Sequence, residues 1–214
     1  MLVGERMTRQ PITASETEGI DDALKTMRDH GVRRLPVLGK KGELVGIVSD
    51  KDLLYASPSP ATSLSVHELH YLLSKLAVKD VMASPVITVT EYTPLEEAAR
   101  IMVDNKIGGL PVLRDDRLVG IITETDMFKI FLEMLGARSK GVRVSLLVPQ
   151  VSGVLADVTA EIARLGGNII SLGTFCGDDQ STAQITVKVE GVSKEQLLEA
   201  LDGIAVEILD VRVV

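Results

Sequence analysis

The sequence predicts an α+β protein of three units: two β-α-β-β-α repeats followed by a ferredoxin-like β-α-β-β-α-β unit. Two internal matches and one change of pattern carry this reading. The stretch Gly46-Ile47-Val48-Ser49-Asp50-Lys51-Asp52 returns as Gly120-Ile121-Ile122-Thr123-Glu124-Thr125-Asp126. Its surroundings return too: Met7 matches Met82, Ile12-Thr13 matches Ile87-Thr88, and Leu35-Pro36-Val37-Leu38 matches Leu110-Pro111-Val112-Leu113. After Leu135 this pattern stops, and a different order of strands and helices begins.

Each repeat opens on a short strand, Ile12-Thr13 in the first and Val86–Val89 in the second. An amphipathic helix follows. Its apolar positions are Ile20, Ala23, Leu24 and Met27 in one copy and Leu95, Ala98, Ala99 and Met102 in the other, which is helical spacing. Thr93-Pro94-Leu95-Glu96 reads as a capping box with proline at the first helical position. Two apolar strands come next, Leu35–Leu38 and Leu44–Val48, joined through Lys40-Lys41-Gly42; their counterparts, Leu110–Leu113 and Leu118–Ile122, are joined through Asp115-Asp116. A closing helix starts at Ser49 or Thr123. Between the repeats, Ser57-Pro58-Ser59-Pro60 marks a linker, and Ser65-Val66-His67-Glu68 opens a helix with Leu69, Leu72, Leu73 and Leu76 on one side.

The polar, basic stretch Gly136–Gly141 reads as a hinge. Val142–Val148 alternates as a strand. Ser152 is placed to cap a helix that carries Val154, Leu155, Val158, Ile162 and Leu165 and ends at Gly166-Gly167. Asn168–Cys176 and Thr182–Val189 flank a turn at Gly177-Asp178-Asp179. Ser193-Lys194-Glu195-Gln196 caps a second helix, and Ala205–Val213 closes as a strand. The predicted boundaries are 1–60, 61–135 and 140–214.

The composition narrows the function classes. Apolar residues make up 45% and charged residues 25%, as in ordinary globular chains. Aromatic residues are only 3%, so the cores must be built from aliphatic side chains. A net charge of −7 argues against nucleic acid or an anionic membrane as the main partner. No apolar run approaches the roughly 20 residues of a membrane span, and the start lacks a signal-peptide pattern. The single cysteine, Cys176, has no intrachain partner and fits a reducing compartment; it reads as a small buried side chain. The expected location is cytoplasmic.

On the duplicated unit, with its Leu-Pro-Val strand and Gly-x-x-Ser/Thr-x-x-Asp ending, residues 1–135 resemble a pair of cystathionine-β-synthase (CBS) domains. The tail resembles an ACT domain, on Gly153 at the first helix and Gly167-Asn168-Ile169 at the next strand. That layout is similar to acetoin-utilization B-type proteins. The resemblance implies a regulatory module that binds an adenosine-containing ligand (AMP, ADP or ATP, or else S-adenosylmethionine or NAD) in clefts between the repeats. It also implies a homodimer and an amino-acid site at the Pro149–Leu155 turn of the tail. Against that last site, the tail reads Val151-Ser152-Gly153, without the Asp and Pro that such turns often carry.

The chemistry of the repeated residues suits such a ligand. One carboxylate accepts hydrogen bonds from both hydroxyls of a ribose, which makes Asp52 and Asp126 the natural partners. Ser49 and Thr123 are placed for ribose or phosphate, with helix N-terminal N–H groups beneath them. Backbone near Thr13 and Thr88 would read the adenine edge. Phosphate requires cations, and these come mainly from the first repeat: Arg34 and Lys51 first, then Arg33 and His30. The second repeat has Gly109, Thr125, Gly108 and Asn105 at those positions. Which cleft the cations serve is left open by the sequence. Ser-x-x-Asp and Thr-x-x-Asp are also helix-capping patterns, and only the duplicated glycine and strand before them favour a ligand. His67 and His70, three apart, form half of a metal pattern at most and read as exposed polar positions.

The leading expectation is a non-enzymatic regulator in which adenine-nucleotide occupancy of the repeats changes the arrangement of the ACT-like tail or of an unidentified partner. The alternatives are an enzyme processing nucleotides or amino-acid derivatives, with His30 or Cys176 taking part, and a scaffold that only oligomerises.

Overall fold

The computed structural model describes residues 1–56, 76–176 and 181–214. The linker 57–60, the capping box at 65–68, Leu69, Leu72, Leu73, His67, His70 and the turn at 177–179 lie outside the described residues. Two units divide the chain, Met1–Met127 and Phe128–Val214.

The first unit begins with a short helix α1 (Val3–Arg6) and strand β1 (Thr8–Arg9). The first repeat then runs β2 (Ala14–Ser15), α2 (Ile20–His30), β3 (Arg34–Leu38), β4 (Leu44–Ser49) and α3 (Asp50–Ala56). The second runs β5 (Val89–Thr90), α4 (Leu95–Asn105), β6 (Gly109–Arg114), β7 (Arg117–Thr123) and α5 (Glu124–Met134), whose last turns belong to the second unit. Both repeats thus have the predicted β-α-β-β-α order. In each, the leading strand pairs in parallel with the Leu-Pro-Val strand, which pairs antiparallel with the next.

Helices α2 and α4 form where apolar residues recur at helical spacing. Ile20, Ala23 and Met27, and likewise Leu95, Ala98 and Met102, are buried. Acidic residues sit in both first turns, which suits the helix dipole. Gly31 and Lys106 close the helices in the left-handed conformation, at φ 63° and 54°. Under the first sheet, Leu35, Val37, Val48 and Leu53 share a core with Ile20 and Met27. Truncating such a fully buried Leu to Ala costs about 2–5 kcal/mol.

Two local expectations need correction. The leading strands form later than predicted, at Ala14–Ser15 and Val89–Thr90, because parallel pairing begins only where Val37 and Val112 lie alongside. The Thr93 capping box does not form. Thr93 Oγ1 instead accepts from Thr90 N at 3.1 Å, closing the preceding turn, and Pro94 is the cap residue itself.

The lead-in to each repeat is given to the sheet of the other. Thr8 and Arg9 pair with Ile121 and Gly120 of the second repeat, and Ala83 bridges to Ile47 of the first. As a result Met7 lies over Gly120 and Met82 over Gly46, each sulfur where a Cβ would otherwise be. The repeated glycine and the repeated methionine, more than thirty residues apart, are therefore one packing device used twice.

The second unit consists of β8 (Val142–Pro149), α6 (Val154–Arg164), β9 (Asn168–Cys176), β10 (Thr182–Glu190), α7 (Lys194–Leu201) and β11 (Glu207–Val213). Its sheet is antiparallel in the order β11-β8-β10-β9, the ferredoxin-like arrangement. Alternation decides its core: Val142, Val144, Leu146 and Val148 join Ile185, Val187 and Val189 against Val158, Ile162, Leu197 and Leu201. The Ser193–Gln196 capping box forms as predicted. Helix α6 is capped by Gly153 at φ 97°, not by Ser152. Cys176, expected to be buried, is exposed at the end of β9.

Candidate ligand-binding site

Each Gly-x-x-Ser/Thr-x-x-Asp stretch runs off the end of a strand into the first turn of a helix. In the first repeat Asp52 Oδ2 accepts from Ser49 N at 2.8 Å and from Ser49 Oγ at 2.7 Å. In the second, Asp126 Oδ2 accepts from Thr123 N at 3.0 Å and from Thr123 Oγ1 at 2.7 Å. The hydroxyls in turn accept from Asp52 N and Asp126 N, at 3.3 and 3.4 Å. The capping pattern is therefore realised in both copies, and it holds each carboxylate in a fixed, half-buried position.

That arrangement bears on one expectation. Backbone N–H groups at the helix start were expected to receive an anion. At the first copy, Asp50 N donates to Arg33 O, Lys51 N to Asp50 Oδ1 and Asp52 N to Ser49 Oγ. In the second copy Glu124 N is likewise taken, by Gly108 O.

The cations come from the first repeat and reach the second. Arg34 lies opposite Ser49 in the β3–β4 hairpin, yet its guanidinium extends to Glu124 Oε1 at 3.2 Å, while Arg33 Nη2 donates to Thr125 Oγ1 at 3.1 Å. Arg34 crosses directly over Gly108, and its guanidinium fills the place where a Cβ would stand. Gly108 is thereby explained: a side chain there would displace Arg34. With 23% of its side chain exposed, Arg34 is the better shielded partner, against 47% for Glu124. Charge-assisted bonds gain strength with such shielding.

Thr13 and Thr88 are half-buried. Each precedes a parallel strand, which places it along its sheet toward the Arg34–Ser49 or Gly109–Thr123 end. Lys51 and His30 are exposed, with no part in the Arg33–Arg34 arrangement. Glu124 and Thr125, the residues that receive the two arginines, were not singled out from the sequence; the only signal was their position inside the repeated stretch.

Two repeats that exchange their lead-in segments and carry a hydroxyl–carboxylate turn at matching helix starts define a paired CBS module. The chain belongs to the CBS domain family: the family profile matches residues 3–59 and 78–133. It is 32% identical over 136 residues to a CBS domain-containing protein of Dictyostelium discoideum, a match covering 63% of this chain and 94% of that one. It spans 61% of an uncharacterized protein of Methanopyrus kandleri, at 33% identity over 60% of this chain. Among solved structures, one described as an acetoin utilization protein, AcuB, of Vibrio cholerae superposes with a TM-score of 0.53 at 34% identity, covering 64% of this chain and 95% of that chain. CBSX2 in complex with AMP superposes with a TM-score of 0.51 at 34% identity, covering 61% and 96%. The CBS pair of MJ0100, in complex with 5′-methylthioadenosine and S-adenosylmethionine, gives 0.52 at 29% identity, covering 65% and 98%. Among the described residues, no helix is long and apolar enough to cross a membrane.

Proposed function

We propose that this chain is a non-enzymatic sensor whose CBS pair binds adenosine-containing ligands and passes their occupancy to its C-terminal unit or to a partner protein. The observation that carries the reading is the pair of fixed carboxylates, Asp52 and Asp126, at matching helix starts. Arg33 and Arg34 stand beside the second of these. A ribose diol meets each carboxylate, Ser49 and Thr123 support it, and the segments at Thr13 and Thr88 line the base. The relatives bound to AMP, 5′-methylthioadenosine and S-adenosylmethionine support adenosine as the common element.

The charge difference assigns the two turns different ligands. At the Asp126 turn the arginines favour a phosphate-bearing nucleotide of the AMP, ADP or ATP type. Lys51 stands in the Asp52 turn itself, but it is exposed and its charge is screened by solvent. The Asp52 turn, answered from the second repeat by Gly108 and Gly109, favours an adenosine compound without phosphate, such as S-adenosylmethionine.

The C-terminal unit, on its ferredoxin-like topology and Gly153-opened helix, is read as ACT-like. Exposed Leu54, Tyr55, Phe128, Phe131 and Leu132, on the helices that follow the two motifs, favour assembly into a homodimer. Transmission has a physical route in the chain: α5 carries Asp126 in its first turn and leads into Leu135 and Gly136. There Leu135 O accepts from Ser171 Oγ and Gly136 O from Lys188 Nζ. Calorimetry with AMP, adenosine and S-adenosylmethionine tests the reading. Two binding events are expected, and unchanged stoichiometry and affinity in a variant carrying both Asp52→Ala and Asp126→Ala would refute it.

A further inference from the structure

The helices of the second unit cover one face of its sheet. On the other face, β10 presents Thr186 and Lys188, flanked in register by Ser145 and Arg143 on β8 and by Gly173 and Ser171 on β9. Lys188 is only 4% exposed. It lines a cavity of about 70 Å³ together with Arg143, Ser171, Thr186, Leu135 and Phe175. We propose that this cavity binds a small carboxylate.

Three features of the lining lead to that ligand. A buried ammonium has three N–H donors, and Lys188 gives one to Gly136 O at 3.0 Å. Among the described residues no carboxylate pairs with it, and a buried charge without a counter-charge is costly. The second cation, Arg143, does have a partner, Asp210 at 2.7 Å, but Asp210 also holds Arg212 at 2.6 Å. Two guanidiniums thus share one carboxylate, and the cavity keeps a surplus of positive charge. Thr186 Oγ1 lies 2.9 Å from Ser145 Oγ, so it can accept from Ser145 and donate into the cavity.

Leu135 and Phe175 supply an apolar wall, which selects an organic anion over a bare inorganic one. A volume of 70 Å³ admits a few waters or one carboxylate of roughly two to four carbons. The cavity lies at the Arg143 end of β8, whereas the Pro149–Leu155 turn follows its other end. The proposal rests on nothing in the CBS pair.

The test is a titration of the full chain with sodium propionate against sodium chloride of matched ionic strength, read by calorimetry and by thermal melting. Saturable millimolar binding and a melting shift that chloride does not reproduce are expected. Lys188→Met removes the charge at similar length and should weaken binding at least roughly tenfold, while Thr186→Val weakens it several-fold. Three results would overturn the proposal: no saturation beyond the chloride control, undiminished binding in the variants, or inorganic phosphate bound in preference to propionate. Where Lys188→Met does not fold, Thr186→Val and Arg143→Met decide on the same criteria.

Discussion

At the Asp126 turn two guanidiniums from the opposite repeat arrive on Glu124 and Thr125, whereas at the Asp52 turn the residues in the equivalent positions are Gly108 and Gly109. The carboxylates themselves are held in the same way, by the same two bonds within about 0.2 Å. The pair thus keeps one hydroxyl–carboxylate turn in duplicate, and it places Arg33 and Arg34 beside the second copy only. Duplication preserves what the helix start and the hairpin need for folding, and leaves the residues that reach across free to diverge. Gly108 shows the coupling between the two halves: it must stay small because Arg34 occupies its Cβ position.

The comparison can be broken first through the shared packing device. Gly120→Ala puts a methyl group into Met7 and should cost about 1–3 kcal/mol of stability; the added change Met7→Ala should recover part of the loss. Gly46→Ala with Met82→Ala should behave alike, so unequal losses in chemical denaturation would show that the two repeats are not equivalent in packing.

A comparable effect is expected on binding. Asp126→Ala should remove the phosphate-sensitive event and Asp52→Ala the other, each by about 1.5–3 kcal/mol, read by calorimetry with AMP and S-adenosylmethionine. If either variant weakens both ligands equally, the two turns do not differ as proposed.

Arg34→Met sharpens the difference at smaller scale. AMP should weaken several-fold at low salt and less at high salt, with adenosine unchanged, since a partly exposed charge is still screened by salt over about 10 Å. Equal losses for AMP and adenosine would make Arg34 a packing residue only.

The smallest expected effect is in acid. The Arg114 guanidinium holds the Glu91 carboxyl below its ordinary value; the first repeat has Glu16 and Gly39 at these positions and lacks that pair. A depressed carboxylate stabilises the fold above its unfolded pKa, and the contribution is lost as pH falls through the folded one. Hydrogen-exchange protection, taken relative to the intrinsic rate at each pH, should therefore fall in the second-repeat strands before the first as the solution is acidified. Glu91→Gln should remove the difference.

Much of this could be read without coordinates. Period-two alternation in Val142–Val148 and helical spacing in Ile20–Met27 place the buried faces correctly, because burial requires one face per element. The Asp115-Asp116 turn, with both residues at positive φ, follows from the two strands it must join. Capping was less legible. Thr93 had two competing partners, the helix and the turn before it, and took the turn; Ser152 lost its place to Gly153, where a left-handed φ was required. Cys176 was misread because burial depends on what covers a strand end, which residue type alone does not specify.

By itself the sequence determined the duplication, the fold of each unit and the hydroxyl–carboxylate turns, since these depend on local spacing and on repetition. Only the tertiary structure decided that Met7 and Met82 answer Gly120 and Gly46, that Arg33 and Arg34 reach Thr125 and Glu124 of the opposite repeat, and that Lys188 is buried beside a second cation. Each of these depends on residues far apart in the chain meeting across packed elements, and no local pattern of polarity encodes where a long side chain ends.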